Sequence, residues 1–121
     1  MKAIKHIFFA LKNSVNGLCA VYRNEVAFRQ DLFIVVLGLA VLPFLSVSIL
    51  AKCLLGFSLV LIVVAELINT AIENIVDRIG TEYHELSKIA KDIGSAIVMI
   101  SLISVFVLWF LVILFGVVLG I

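Results

Sequence analysis

The chain has 121 residues, of which 64% are hydrophobic and only 14% are charged. Soluble globular proteins carry about 25% charged residues, so this composition excludes an ordinary soluble domain and indicates a single integral membrane domain. The net charge of +1 gives no electrostatic argument for a nucleic-acid partner.

The first element predicted is an amphipathic helix at the N-terminus, in a segment (residues 4–29) that also connects to the membrane. Its apolar residues recur at spacings of three and four, and they are Ile4, Ile7, Phe8, Leu11, Val15 and Leu18. The pattern predicts a helix on the membrane surface, or alternatively one packed against its own bundle. Glu25 and Arg29 lie one helical turn apart and are predicted to pair.

Three hydrophobic stretches follow this segment, at about residues 32–50, 53–77 and 91–115. A membrane span needs about 20 apolar residues, and the first and third stretches meet that length without a charge in their apolar cores. The middle stretch reaches it only if its helix continues through acidic residues. The sequence therefore predicts an all-α integral membrane fold of three transmembrane helices plus an N-terminal amphipathic surface helix.

The distribution of basic residues predicts the orientation of these helices. Five Lys or Arg residues precede the first span, one lies between the first and second, and three lie between the second and third. Because cytoplasmic loops hold the basic excess, we expect a cytoplasmic N-terminus and a C-terminus on the opposite side.

Three residues are predicted to shape the ends of the helices. Pro43 lies inside the first span and is expected to kink it, because proline removes a helical hydrogen bond. Gly80 is placed to end the second helix, and Thr81 is placed to cap the helix that follows.

The middle span carries a column of polar side chains within AELINTAIENIVDRIG, residues 65–80. At about 100° per residue, Asn69, Glu73 and Asp77 all point within roughly 60° of Glu66. One ionisable residue within a span costs about 2.5–3.5 kcal/mol on insertion scales, so a column needs a compensating role. It predicts a structural polar seam between subunits, a proton or cation pathway, or a site for Mg²⁺ and a substrate.

A second polar face precedes the third span, in HELSKIAKDIGS at residues 84–95. Lys88, Lys91, Asp92 and Ser95 recur there at spacings of three and four. Carboxylates on one helix and lysines on the next suit Mg²⁺ with a polyphosphate, although lysines also anchor helices at lipid headgroups. The sequence has neither a GxxxxGK[ST] loop nor a kinase-type glycine loop, so ATP would bind without a known soluble nucleotide fold.

These motifs closely resemble those of the prokaryotic integral-membrane diacylglycerol kinases over roughly residues 6–110. The matching segments are NEVAFRQD (24–31), ELINTAIE (66–73), VDRIG (76–80), EYHELS (82–87) and AKDIGSA (90–96). The related undecaprenol kinases share the ELxNTAIE and AKD elements. The DRIG, EYHELS and GSA segments are more similar to the diacylglycerol enzymes.

The resemblance implies a kinase of the bacterial cytoplasmic (inner) membrane that uses ATP with Mg²⁺. It would transfer the γ-phosphate to the primary hydroxyl of diacylglycerol and yield phosphatidic acid and ADP. A homotrimer with composite sites between neighbouring subunits is also implied. The alternatives are the same chemistry on undecaprenol and, from another class, a small proton-coupled transporter.

The resemblance also implies roles for individual residues. Glu66 matches the proposed general base, and Glu25 and Glu73 match the residues that hold the metal. The residues implied to contact the nucleotide are Glu25, Glu73, Glu82, Tyr83, His84, Lys91 and Asp92. Those implied to contact the lipid are Ala27, Phe28, Arg29, Gln30, Asp31, Glu66 and Ser95. Asn69 and Asp77 are implied to support the site.

Four positions depart from the best-known members of this family. His6, Asn13 and Val15 stand where those members have arginine, tyrosine and tryptophan, and Asp31 replaces a glutamate. The departures cluster in the surface helix and its exit. They leave the phosphoryl-transfer residues intact, so what the resemblance implies for lipid preference and for part of the nucleotide contact does not carry over at these positions.

Overall fold

A computed structural model of the chain describes residues 1–120, and all regular structure in that part is helical. The elements are α1 (Lys2–Asn24), α2 (Val26–Val41), a 3₁₀ turn (Leu42–Phe44), α3 (Ile49–Ile79) and α4 (Glu85–Leu119). By length and composition, three helical stretches can cross a membrane: Val26–Phe44, Ile49–Ile79 and Glu85–Leu119. The predicted fold class is confirmed.

The surface helix, α1, is joined to α2 by a single extended residue, Glu25. No residue of α1 is buried, which agrees with a helix that lies on a surface. Nη1 of Arg29 turns back and donates to the carbonyl oxygens of Tyr22 (2.6 Å) and Arg23 (3.2 Å). The predicted pair between Glu25 and Arg29 is wrong, because Arg29 instead satisfies carbonyls that the end of α1 leaves without helical partners.

The first membrane helix begins and ends earlier than the predicted stretch of residues 32–50. It ends at Val41, and Pro43 lies in the 3₁₀ turn that follows. Pro43 therefore ends the helix and does not kink it, because proline has no N–H group with which to continue the helical hydrogen bonds. The next helix, α3, starts at Ile49 after a bend of four residues, and Oγ of Ser48 caps it by accepting a hydrogen bond from the Ala51 N–H at 3.1 Å.

The main packing in the molecule is between α3 and α4, and α2 also packs against α3. The two long helices are antiparallel, since Ser58 near the start of α3 meets Trp109 near the end of α4. Nε1 of Trp109 donates to Oγ of Ser58 at 3.0 Å, and that hydroxyl donates to the Leu55 carbonyl at 2.6 Å. The buried core around these contacts contains Val35, Leu59, Ile62 and Val105.

The turn between α3 and α4 is capped differently from the prediction. Gly80 ends α3 as expected, but Thr81 does not cap α4. His84 is the capping residue, and its Nδ1 accepts a hydrogen bond from the Leu86 N–H at 3.1 Å. The polar residues that follow are already helical, so α4 begins at Glu85 and not near residue 91.

Candidate active site

Glu66 on α3 has three acidic neighbours, which are Asp31 on α2, Glu25 at the joint before α2, and Glu73 two turns further along α3. Glu66 lies about 25 Å along α3 from its first residue and is only 5% exposed. The carboxyl group of Asp31 lies within hydrogen-bonding reach of it, and the charges of Glu25 and Glu73 also act on it. We call these four residues the acidic cluster. Because neighbouring carboxylates repel one another, the cluster favours a bound cation or a shared proton.

One amide orients a member of the acidic cluster. Nδ2 of Asn69 donates to Oε1 of Glu73 at 3.2 Å, along one turn of α3. Oδ1 of the same amide is buried and has no hydrogen-bond partner within residues 1–120. The amide therefore presents its donor to the carboxylate and its acceptor to α4.

A small polar cavity of about 180 Å³ lies beside Glu25. The residues that line it are Ala20, Val21, Asn24, Glu25, Thr70 and Asn74. Thr70 is only 2% exposed, and its hydroxyl lacks a hydrogen-bond partner in the described chain. Thr70 and Asn74 were not identified from the sequence, although each follows Glu66 along α3 at intervals of one turn, which is the signal that would have found them.

A larger polar cleft, of about 610 Å³, surrounds the turn between α3 and α4. It contains five of the residues expected to contact a nucleotide: Glu82, Tyr83, His84, Lys91 and Asp92. Asp77, Gly80, Thr81, Ser87 and Lys88 also line it, and we call this set the polar cleft. The structure thus brings together side chains that are up to 15 positions apart in the sequence, from Asp77 to Asp92.

The two lysines of the polar cleft are both paired. Nζ of Lys91 lies 2.7 Å from Oδ1 of Asp77 across the two helices, and Nζ of Lys88 lies 2.7 Å from Oδ2 of Asp92 on α4 itself. All four side chains remain largely exposed, so these pairs can open at small cost.

The residues expected to bind lipid are not brought together within one chain. Phe28 is 4% exposed and belongs to the core, Asp31 lies in the acidic cluster, and Arg29 caps α1. Ala27 and Gln30 are exposed, as is Ser95, which stands one turn after Lys91 on α4.

An apolar cleft does open beside the segment expected to bind lipid. Its volume is about 610 Å³, and its lining comes from α1, α2 and α3, mainly Leu18, Cys19, Tyr22, Phe28, Leu32 and Val63. We call it the lateral cleft. Its apolar lining suits a hydrocarbon chain better than a polar ligand.

The donor set of the acidic cluster fits Mg²⁺ in its chemistry. Within residues 1–120, no three His, Cys, Asp or Glu side chains converge closely enough to enclose a metal ion. Mg²⁺ commonly uses one or two carboxylates together with phosphate oxygens and water, and it needs no closed protein cage. Glu25 and Glu73 supply carboxylates of this kind near Glu66.

Comparison with known proteins gives a consistent result. Residues 12–113 match the family described as prokaryotic diacylglycerol kinase. The chain is 46% identical over 96 residues to a protein named diacylglycerol kinase from Escherichia coli K12, which covers 79% of each chain. Similar proteins of the same name occur in Haemophilus influenzae (41% identity, covering 88% of this chain and 90% of that protein) and Pseudomonas aeruginosa (40%, covering 88% and 86%). The chain belongs to the prokaryotic diacylglycerol kinase family.

Proposed function

We propose that this protein transfers the γ-phosphate of ATP to the primary hydroxyl of diacylglycerol, giving phosphatidic acid and ADP. The observation that carries the proposal is the continuity of two sites along α3. The acidic cluster around Glu66 is followed, one turn after Glu73, by Asp77 and the polar cleft. The buried Glu66 lies one turn after Val63, which lines the lateral cleft, and the polar cleft contains two lysines. This arrangement suits an enzyme that transfers a phosphoryl group from a nucleotide to a lipid.

Glu66 is the general base in this proposal. The hydroxyl oxygen of the lipid forms a bond to the γ-phosphorus. The bond between that phosphorus and the oxygen that bridges the β- and γ-phosphates breaks, and ADP leaves. The hydroxyl proton passes to the Glu66 carboxylate, which must lie about 2.6–3.2 Å from the hydroxyl oxygen. The burial of Glu66 supports this role, because it keeps bulk water from competing with the lipid for the phosphoryl group.

The polar cleft is the proposed nucleotide site. Lys91 would leave Asp77 and bind a phosphate, while Glu82, Tyr83, His84 and Asp92 would hold the rest of the nucleotide. Because Nδ1 of His84 accepts the capping hydrogen bond, Nε2 of the neutral ring carries the hydrogen and is free to donate. Glu25 and Glu73 would hold Mg²⁺, which when bound supplies neutralisation of the phosphate charge. Asn69 supports Glu73 through its amide.

The lipid is proposed to reach Glu66 through the lateral cleft, from within the plane of the membrane. The lateral cleft lies next to Phe28, within the segment 27–31 proposed to contact lipid together with Ser95. We place the protein in a bacterial cytoplasmic membrane, with its N-terminus and polar cleft on the cytoplasmic side. The excess of basic residues before the first span and around the polar cleft supports that orientation.

We further propose that the active protein is a homotrimer with composite sites. The membrane helices leave wide apolar faces uncovered, and Glu25, Glu73 and Ser95 are incompletely enclosed by their own chain. A neighbouring subunit that covers these faces would complete the enclosure of the acidic cluster.

The experiment that tests this function measures transfer of labelled γ-phosphate from ATP to lipid by purified protein in mixed micelles. Diacylglycerol and undecaprenol are offered separately, with and without Mg²⁺. The proposal predicts Mg²⁺-dependent labelling of diacylglycerol. Labelling of undecaprenol alone would keep the mechanism and change the substrate, whereas no labelling of either lipid by folded protein would overturn the proposal and favour a transporter.

A further inference from the structure

A close contact between α3 and α4 lies directly behind the acidic cluster. Gly94 is buried on α4, and the position that a Cβ atom would occupy there overlaps Oδ1 of Asn69 and lies 3.6 Å from the Asn69 Cα. The absence of a side chain at Gly94 therefore makes room for the Asn69 amide. This contact brings the two helices together at the residue that orients Glu73.

The other buried glycine of α4 makes a different kind of contact. At Gly116, an added Cβ atom would meet Cγ1 of Val47 at 2.8 Å, which is an apolar side-chain atom far from the acidic cluster. Relieving that overlap requires the valine or its backbone to shift, which costs stability but displaces no polar group of the acidic cluster. Gly116 is therefore a matched reference for the packing role of a buried glycine on the same helix.

The amide of Asn69 has little freedom to adjust. Its Nδ2 donates to Glu73, and its Oδ1 is buried toward Gly94 without a hydrogen-bond partner in residues 1–120. A 180° flip of the amide would place Oδ1 of Asn69 against the Glu73 carboxylate, and the two negatively polarised groups would repel each other. Moving the amide away from α4 would lengthen the 3.2 Å hydrogen bond or change its angle.

We propose that Gly94 is a positioning residue for the metal-binding carboxylate of Glu73, acting through Asn69. The proposal rests on the proposed function, in which Glu73 holds the divalent cation. A methyl group at position 94 displaces the Asn69 amide, and Glu73 then loses the hydrogen bond that fixes its orientation. Removing a residue that orients a metal ligand typically weakens metal binding by about 10- to 100-fold.

The test measures the binding of Mn²⁺, as a probe of the Mg²⁺ site, by electron paramagnetic resonance in the presence of a non-hydrolysable ATP analogue. We expect Gly94→Ala to raise the dissociation constant for Mn²⁺ by roughly 10-fold. Gly116→Ala should leave it within about twofold of the parent value, even if both substitutions lower thermal stability. A dissociation constant for Gly94→Ala equal to that of Gly116→Ala would overturn the proposal.

A second variant tests the route through the amide and does not depend on the folding of Gly94→Ala. Asn69→Ala keeps the glycine and should itself weaken Mn²⁺ binding by roughly 10-fold. Adding Gly94→Ala to Asn69→Ala should cause little further loss, because the amide that the methyl group displaces is already gone. Parent-like Mn²⁺ binding by Asn69→Ala would refute the inference.

The parent protein separates this inference from the proposed function. If the parent binds no Mn²⁺ with the nucleotide analogue, the proposed metal role of Glu73 is overturned, and so is the inference about Gly94. If the parent binds Mn²⁺ and the variants behave alike, only the Gly94 inference is overturned.

Discussion

Nζ of Lys91 lies 2.7 Å from Oδ1 of Asp77, so an ion pair joins α4 to α3 at the polar cleft. Both side chains are about half exposed, so the pair contributes little to stability and leaves the lysine available to a phosphate. We expect Lys91→Met to raise the KM for ATP by roughly 10- to 100-fold, with a small change in melting temperature.

The matched control for Lys91 is Lys88, one turn earlier and paired with Asp92 on its own helix. Lys88 also lines the polar cleft but is not among the proposed nucleotide contacts, so Lys88→Met should change the KM for ATP by about twofold or less. Steady-state kinetics at saturating lipid measures both variants. Equal effects of the two substitutions would show that Lys91 has no specific contact with the nucleotide.

Glu73 should determine how much Mg²⁺ the enzyme requires. Glu73→Gln keeps the size of the side chain and removes the negative charge, so the cation loses a carboxylate ligand. We expect the Mg²⁺ concentration for half-maximal activity to rise by at least about tenfold. Glu85→Gln, an exposed acid at the start of α4, is the control and should titrate like the parent. An unchanged Mg²⁺ titration for Glu73→Gln would remove Glu73 from the metal site.

Arg29 should hold the surface helix at its observed angle to α2. Its Nη1 donates to the carbonyls of Tyr22 and Arg23, and Arg29→Ala leaves both without that partner. We expect amide hydrogen exchange near the end of α1 to become faster by roughly tenfold, while the middle of α3 stays protected. Lys12→Ala, a basic residue within α1 itself, should leave exchange near Tyr22 unchanged. Exchange that rises equally in both variants would contradict the capping role of Arg29.

Ser58 should affect stability and not catalysis. Its buried hydroxyl accepts a hydrogen bond from Nε1 of Trp109, about 12 Å along α3 from Glu66. Ser58→Ala is expected to lower the free energy of unfolding by about 0.6–2 kcal/mol, with kcat within about twofold of the parent. Trp109→Phe, combined with Ser58→Ala, tests whether the two losses are coupled. A large loss of kcat with unchanged stability would place Ser58 in the reaction instead.

The predictable features of this protein are those with a local cause. The apolar stretches gave the three spans, because length and hydrophobicity alone decide whether a helix can cross a membrane. Helical periodicity placed Glu66, Asn69, Glu73 and Asp77 on one face, since that arrangement depends only on the geometry of α3.

The features that the sequence did not reveal depend on contacts between helices or on which of several polar residues caps the end of a helix. Arg29 bonds backward to α1 because the bend at Glu25 brings carbonyls within its reach. His84, and not Thr81, caps α4 because the chain still bends at Thr81 and Glu82 and becomes helical only after the extended residue His84. The approach of Gly94 to Asn69 is set by the register of α3 on α4, which no local pattern encodes.

If Glu66 accepts the proton of the lipid hydroxyl, Glu66→Gln removes the base and leaves the nucleotide site unchanged. The measurement is the rate of phosphoryl transfer to diacylglycerol at saturating ATP, Mg²⁺ and lipid, together with the dissociation constant for ATP. We expect a rate lowered by roughly 100- to 10,000-fold, an unchanged ATP affinity and intact helical structure. Near-normal turnover by the Glu66→Gln protein would show that Glu66 is not the base.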